Sequence, residues 1–375
     1  MNGSSAIVIG AGIVGLATAR ALAQKGYGVK VFERSHQAVG ASIRNFGMIW
    51  PIGQPTGKLY YRALRSREIW KEIGQSGAFA VEQAGSLHLA YHADEKKVLE
   101  EFYEAEKKNR PLEWLNDSKV LQKSGAVIKE GLLGGLYSKD ELIVDPREAI
   151  AALPVYLHEK YGVEFFWGKC ASYVADQTVY IGNEEEHEAD VIVVCSGADF
   201  ETLFPEEYAS YPLTKCKLQM MRLAAQPGDW RIGPALCGGL SLIHYQSFKV
   251  APSLGALRQR YEKELPEYLD WGIHVMVSQN AAGELTVGDS HEYGMTLDPF
   301  DKEFINQMVL DYLKKFANFR SWQVTQTWNG IYPKLTNGET DLFFSPEAGV
   351  YVLNGLSGAG MTLSFGLAEE MISGI

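Results

Sequence analysis

Residues 5–35, SAIVIGAGIVGLATARALAQKGYGVKVFERS, constrain the fold more than any other stretch of this chain. Ala6 to Ile9 is a continuous apolar run, the pattern of a strand buried in a parallel sheet. Gly10, Gly12 and Gly15 follow as GxGxxG, and an Ala/Leu-rich helix then runs to Lys25 and stops at Gly26. Val29 to Phe32 is a second apolar strand, and it ends in Glu33. Each part has a physical task. Gly10 permits the tight turn, Gly12 lets backbone amides approach a pyrophosphate, and Gly15 lets the helix pack against the strand. The helix start, at Ile13 and Val14, supplies positive potential and free N–H groups for phosphate oxygens. Glu33, near the usual spacing of about 20 residues, can accept both hydroxyls of an adenosine ribose, with Arg34 beside it. An acid here disfavours a 2′-phosphate, so the unit predicts FAD or NAD rather than NADP.

The far end of the chain separates these two. GVYVLNGLSGAGMTLSFGLAEEMI reads as a strand from Val350 to Leu353, a glycine-rich turn and an apolar helix beginning near Met361 and Thr362. The turn carries Gly355, Ser357, Gly358 and Gly360. A second helix N-terminus can face the flavin N1–C2=O edge, where reduced flavin gathers negative charge. A nicotinamide enzyme has no such need, so FAD is expected.

Two pieces in between belong to the same lobe. VDPREAIAALPVYLHEKYGVEFF reads as a helix started by Asp145-Pro146, then a strand from Val163. ADVIVVCSGADF is a buried strand that turns at Ser196-Gly197 beside a ligand or a helix. The cofactor lobe is thus expected in three segments, 1–84, 138–212 and 323–375. Segments 85–137 and 213–322 carry alternating strands (KLQMMRLAA, GIHVMVSQ, GELTVGDS), a charged helix from Asp94 to Lys108 and an amphipathic helix from Phe304 to Phe316. They predict an interleaved substrate domain built on an antiparallel sheet. The fold class expected is α/β with an α+β second lobe: a Rossmann-like FAD domain and a sheet domain inserted into it.

Composition excludes several partners. The chain of 375 residues carries 35 basic and 46 acidic residues, a net charge of −11, which argues against nucleic acid and anionic membranes. No apolar stretch approaches the roughly 20 residues of a membrane span. The N-terminus has no basic leader region. Cys170, Cys195, Cys216 and Cys237 lack CxxC or zinc spacing and read as small core residues in a reducing cytoplasm. No metal is expected, and the oligomeric state is left open.

The blocks above, with GASIRNFGMI after the second strand, make the chain resemble the D-amino-acid-oxidase-like FAD oxidoreductases, the superfamily of glycine oxidase and monomeric sarcosine oxidase. The resemblance covers nearly the full length. ASIRNFGMIWPIGQPTG resembles a branch associated with aminophosphonate breakdown. By this resemblance Ser42 and Arg44 contact phosphate or ribityl oxygens. Asn45, Phe46, Gly47 and Met48 pass the flavin ring, with Gly47 leaving room for it. Ala171 meets adenine through its main chain, and Gly330 lies beside the cofactor.

The resemblance also implies departures. Relatives taking α-amino acids often clamp the carboxylate with an Arg in a block ending Arg-x-Gly-x-x-Pro. Here the block reads WNGIYP, with Trp328 at the Arg position. No Cys stands there either, so the FAD is expected to be non-covalent. Thr286 occupies the place of a Lys that assists oxygen, which leaves the electron acceptor open. His244, Tyr245, His274, His291 and Lys334, with Met48 and Trp328, are the candidate substrate residues, and His244, Tyr245 and Trp328 the candidates for a catalytic role. Lys58, Arg62 and Arg65 fall at helical spacing and read as a solvated face. The function implied is oxidation of a small-molecule amine, an amino acid or an aminophosphonate, by hydride transfer to flavin N5. The alternatives are a NAD-dependent dehydrogenase and a non-catalytic flavin-binding protein.

Overall fold

The computed structural model describes residues 4–182 and 185–375. The start of the terminus read above for a leader, residues 1–3, lies outside them. The opening unit forms as its pattern requires: strand β1 (Ser5–Ile9), helix α1 (Ile13–Gln24) and strand β2 (Gly28–Glu33). β1 is central in a six-stranded sheet, parallel to β2 on one side and to Val191–Val194 on the other. Glu164–Trp167 extends the sheet beyond β2, while Val350–Asn354 and Leu342–Glu347 extend it the other way. Only the last of these strands runs antiparallel.

Both faces of this sheet are covered, which is why its central strands carry the unbroken apolar runs Ala6–Ile9 and Val191–Val194. Ala6, Val8, Val29, Val31 and Val193 face α1 and the C-terminal helix Gly360–Ser373. Ile7, Ile9, Phe32, Ile192 and Val194 face Val174 and Val179. Those two valines belong to a three-stranded antiparallel sheet, Ala171–Ala175, Thr178–Ile181 and Glu185–Glu188, which the sequence reading missed.

The second lobe is a nine-stranded sheet with its own apolar core. Its strands run antiparallel except where Ala235–Cys237 pairs in parallel with Ser86–Ala90, a correction to the purely antiparallel expectation. A second correction concerns Val324–Leu335, drawn from the sequence into the cofactor lobe. It pairs along its length with Leu213–Leu223, Cys216 opposite Tyr332 and Met220 opposite Trp328. The chain re-enters the parallel sheet only at Leu342. Backbone pairing thus carries one strand past the expected boundary.

Arg62 is a third correction. The helix Lys58–Gln75 packs against the C-terminal helix, so Arg62 is buried rather than solvated. Its guanidinium is satisfied by Glu370 at 3.0 and 2.7 Å and by Asp341 at 2.7 Å. Cys195, Cys216 and Cys237 are buried free thiols, whereas Cys170 is exposed. Among the described residues no helix is long and apolar enough to cross a membrane.

Candidate functional site

One cavity of about 670 Å³ runs between the two sheets. At one end it is lined by Gly10, Gly12, Glu33, Arg34, Ala171 and Ser196-Gly197. At the other end stand His244, Tyr245, His274, Asp289, His291 and Lys334.

The first end is shaped by backbone geometry. Gly10 has φ +104°, and a Cβ there would lie 2.5 Å from the Cys195 carbonyl oxygen. Gly15 stands behind the cleft, where a Cβ would lie 1.8 Å from the Gly10 oxygen, so it serves helix–strand packing. At Gly12 a Cβ would sit 3.1 Å from Ser42 Oγ, in the space between turn and loop. The Ile13 amide donates to Ser42 Oγ at 2.9 Å. Among the described residues, the Gly12 and Val14 amides have no partner and are left to a ligand. Glu33 closes this end, accepting from the Ala11 amide at 2.9 Å and from Ser35 at 3.0 Å. A carboxylate so held keeps lone pairs for two hydroxyls. Arg34 is paired to Asp199. Burial pushes the Asp199 carboxyl up, but hydrogen bonds from Arg34 and Thr202 outweigh it and bring it down to about 2.

Along the middle of the cavity lies the loop after β2. Asn45 spends its amide on the loop, donating to the Ala41 and Ser42 carbonyls (3.0 and 2.9 Å) and accepting from the Gly47 amide at 2.8 Å. Arg44 donates to the Asn329 carbonyl at 3.1 Å. Phe46, Met48 and Trp50 line the cavity, but Gly47 does not. A Cβ at Gly47 would lie 1.9 Å from the Val144 carbonyl oxygen, and its φ is +70°. The glycine is required by backbone crowding behind the loop, not by room for a ring. Opposite, Ser357, Gly358, Gly360, Met361 and Thr362 line the cavity at the start of the C-terminal helix. A Cβ on Gly360 would lie 3.2 Å from Ile13 Cγ2, so the two helix N-termini nearly touch. Gly355 sits behind the turn against Leu342. Gly330 lines the cleft beneath the Arg44 backbone.

The second end is a histidine cluster. His244 is the last residue of a short helix, Leu240–His244. Its ring centroid lies 3.7 Å from that of His274 and 4.8 Å from that of His291. His274 Nδ1 is 3.1 Å from Asp289 Oδ1 but poorly aligned, so both buried atoms lack a hydrogen-bond partner. His291 Nδ1 lies 2.8 Å from the Gly272 carbonyl. Lys334 donates to the Tyr293 hydroxyl at 2.8 Å. Burial, then the neighbouring imidazoles, holds His244 and His274 well below the usual histidine range. Burial brings His291 down to about 4 and Lys334 below the usual ammonium value, and pushes the Asp289 carboxyl up. His244 faces the open cleft although protein surrounds it, so a ligand there would cover it.

Two residues read from the family pattern at the substrate end are not there either. Trp328 does not line the cavity; it packs with Met220 and Phe46 and lies 5.1 Å from the Arg147 guanidinium. The loop carrying Arg44 and Phe46 covers that part of the strand. Thr286 is buried between Ser278 and Arg222, and Met276 and Asp289 reach the cavity instead. Sequence reasoning missed Asp289, Tyr293 and Tyr332. The acid in GDSHEY, two residues before His291, was the one available signal.

A parallel sheet whose GxGxxG turn opens on a cleft shared with a second sheet defines a two-lobed dinucleotide-dependent oxidoreductase. The family model described as FAD dependent oxidoreductase matches residues 5–373, and the chain belongs to that family. The D-amino-acid-oxidase-like reading and the expectation of FAD therefore hold, and the NAD alternative falls away. Glycine oxidase from Bacillus cereus ATCC 14579 is similar in structure, with a TM-score of 0.77 and 16% identity over 99% of this chain and 94% of that one. L-proline dehydrogenase from P. horikoshii matches with a TM-score of 0.77 and 20% identity, over 99% and 92%. L-alpha-glycerophosphate oxidase from Mycoplasma pneumoniae with FAD bound gives 0.73 and 17%, over 99% and 95%. A search of curated proteins returns no match.

Proposed function

We propose that this FAD-dependent enzyme oxidises a small primary or secondary amine that also carries an oxyanion, with an aminophosphonate such as 2-aminoethylphosphonate or its N-methyl form as the substrate class. The observation that carries this reading is the far end of the cleft, where three histidines and Lys334 stand together while the arginines that line the cavity, Arg34 and Arg44, engage Asp199 and Asn329. A planar carboxylate is best held by the fork of a guanidinium. A phosphonate presents three acceptor oxygens and suits several dispersed donors. The ASIRNFGMIWPIGQPTG loop supports the same branch.

Bound FAD supplies the two-electron acceptor. The Gly12 and Val14 amides at the α1 N-terminus would hold its pyrophosphate, Glu33 its ribose and the Ala171 main chain its adenine. The start of the C-terminal helix would offer positive potential to its ring. Phe46, Met48 and Trp50 would exclude water, and Tyr245, His244 and Lys334 would orient the substrate as the neutral amine for oxidation at its α C–H. The imine then hydrolyses in water. Cys170 and Cys195 reach only the nucleotide end of the cavity, which supports non-covalent binding. Four free thiols support a cytoplasmic location.

Anaerobic flavin bleaching tests the reading, with 2-aminoethylphosphonate, its N-methyl form, glycine, sarcosine and D-alanine as the panel. The aminophosphonates should bleach fastest at equal concentration. If D-alanine or sarcosine is better by about tenfold in reduction rate over binding constant, about 1.4 kcal/mol of barrier, the aminophosphonate assignment is wrong. Flavin that stays oxidised with every amine would remove amine oxidation itself.

A further inference from the structure

We propose that His244, His274 and His291 form an oxyanion site that takes up a proton from solution together with its anion. The inference rests on the amine-oxidation reading only for the identity of the molecule that carries the anion.

The geometry first narrows what the cluster can hold. Three imidazoles within reach of one another suggest a metal, and their ligand atoms do lie within 4.8 Å. In a tetrahedral site the rings radiate from the ion at a metal–nitrogen distance of about 2.0–2.1 Å, which keeps them well separated. Here His244 and His274 are 3.7 Å apart between centroids and edge-to-face at 80°, so one ring covers the other instead of both pointing at a common ion.

The charge pattern points to an anion. Lys334 is the cation that lines this end, and its ammonium is already shared with Tyr293. His291 has Nδ1 committed to the Gly272 carbonyl, which requires a proton there. Its neutral form therefore offers only a lone pair at Nε2, which repels an anion, and it becomes a second donor only as imidazolium. His274 Nδ1 and Asp289 Oδ1 are buried and unpartnered at 3.1 Å, a pair able to hold another proton. His274 packs against His244, and the Tyr245 ring lies 5.6 Å from it and 5.0 Å from His244. Burial favours the neutral form of each group facing the cluster. Tyr245, Tyr293, Tyr332 and Cys216 are held neutral by burial, Asp289 keeps its proton, and Lys334 is the charge that remains.

An anion entering this low-dielectric end stabilises the imidazolium form of whichever ring it meets. Raising the pKa of a group on binding means that affinity is greatest at low pH and falls as pH rises through the bound-state value. Ionisation of Asp289 at higher pH would act in the same direction, by repelling the anion.

Methanesulfonate is the probe, because it has no titration of its own in this range and any proton must go to the protein. Its binding to the holoprotein is followed by flavin-band perturbation, and proton uptake by calorimetry in buffers of different ionisation enthalpy. Uptake approaching one proton per site near neutral pH is expected, with the dissociation constant rising by about tenfold per pH unit over the same range. Methylphosphonate should bind more tightly. Lys334→Met should weaken binding yet keep the uptake, whereas His244→Gln, at the cavity face, should reduce the uptake. Binding with no proton uptake, or an uptake lost only in Lys334→Met, would overturn the proposal, as would no binding of either anion. Amine bleaching on the same preparation separates the two claims. Bleaching without proton-linked anion binding overturns this inference alone, and proton-linked binding without bleaching by any amine supports it while removing the amine reading.

Discussion

The Ser42 hydroxyl accepts the Ile13 amide proton at 2.9 Å, tying the loop after β2 to the first turn of α1. Gly12 lies in the same narrow space, and its backbone is ordinary extended geometry with φ −72° and ψ 176°. A side chain at Gly12 therefore strains nothing in the chain itself, yet its first carbon would already press on Ser42 Oγ at 3.1 Å. Gly12→Val should fold with a melting temperature close to the parent apoprotein and retain no FAD after gel filtration. Full flavin occupancy would mean that the pyrophosphate does not approach this turn.

Gly47 gives the opposite combination. A Cβ there would overlap the Val144 carbonyl, and the left-handed backbone disfavours any other residue. Gly47→Ala should cost about 2–4 kcal/mol in urea unfolding of the apoprotein, the sum of a strained φ and an overpacked contact. A loss that appears only with FAD bound would restore the idea that Gly47 clears space for the ring.

Glu33 carries structural and ligand duties at once, through the Ala11 and Ser35 amides. Glu33→Ala should raise the FAD dissociation constant by about tenfold to a hundredfold, the loss of a charge-assisted acceptor worth about 1.5–3 kcal/mol. Glu33→Gln keeps one acceptor oxygen and should fall between. An unchanged constant in both variants would reduce Glu33 to a clamp on its own turn.

How much of this was legible in the sequence depended on the range of the interactions. The βαβ unit, the Asp145-Pro146 helix start and the C-terminal turn were readable because each is set by neighbours a few residues apart. Gly47 was singled out for the wrong reason, since its crowding partner Val144 is distant in sequence. Trp328 was placed by motif position, which says nothing of the loop that covers the strand. The sheet ending in Glu185–Glu188 was invisible because EEHE carries no apolar alternation. The cluster of His244, His274 and His291 is assembled from three separate segments, so each residue alone looked ordinary.

The last prediction concerns pH and a carboxylate outside the histidine cluster. Glu141 is fully buried where the loop after β2 meets the second sheet, accepting from the Ile52 amide at 2.9 Å and from the Ser86 hydroxyl at 3.1 Å. Burial raises its carboxyl, and the nearby Asp140 adds to this; hydrogen bonds from Ser138, Ile52 and Ser86 oppose it, and the outcome is about 7 against an ordinary 4.5. Between these values the folded protein holds a proton that the unfolded chain has released. The stability from this source is complete below pH 4.5 and is lost as the pH rises through 7. A separation of 7 − 4.5 = 2.5 pH units corresponds to about 3 kcal/mol. Glu141→Gln keeps an acceptor for Ile52 and removes the titration. Urea unfolding of both proteins at pH 5 and pH 8 isolates the effect, because every other titrating group cancels in the difference. The glutamine variant should gain on the parent by about 2.5 kcal/mol between the two conditions, because at pH 5 part of the effect is already spent. Parallel pH profiles would show that Glu141 ionises in the folded protein as it does in the open chain.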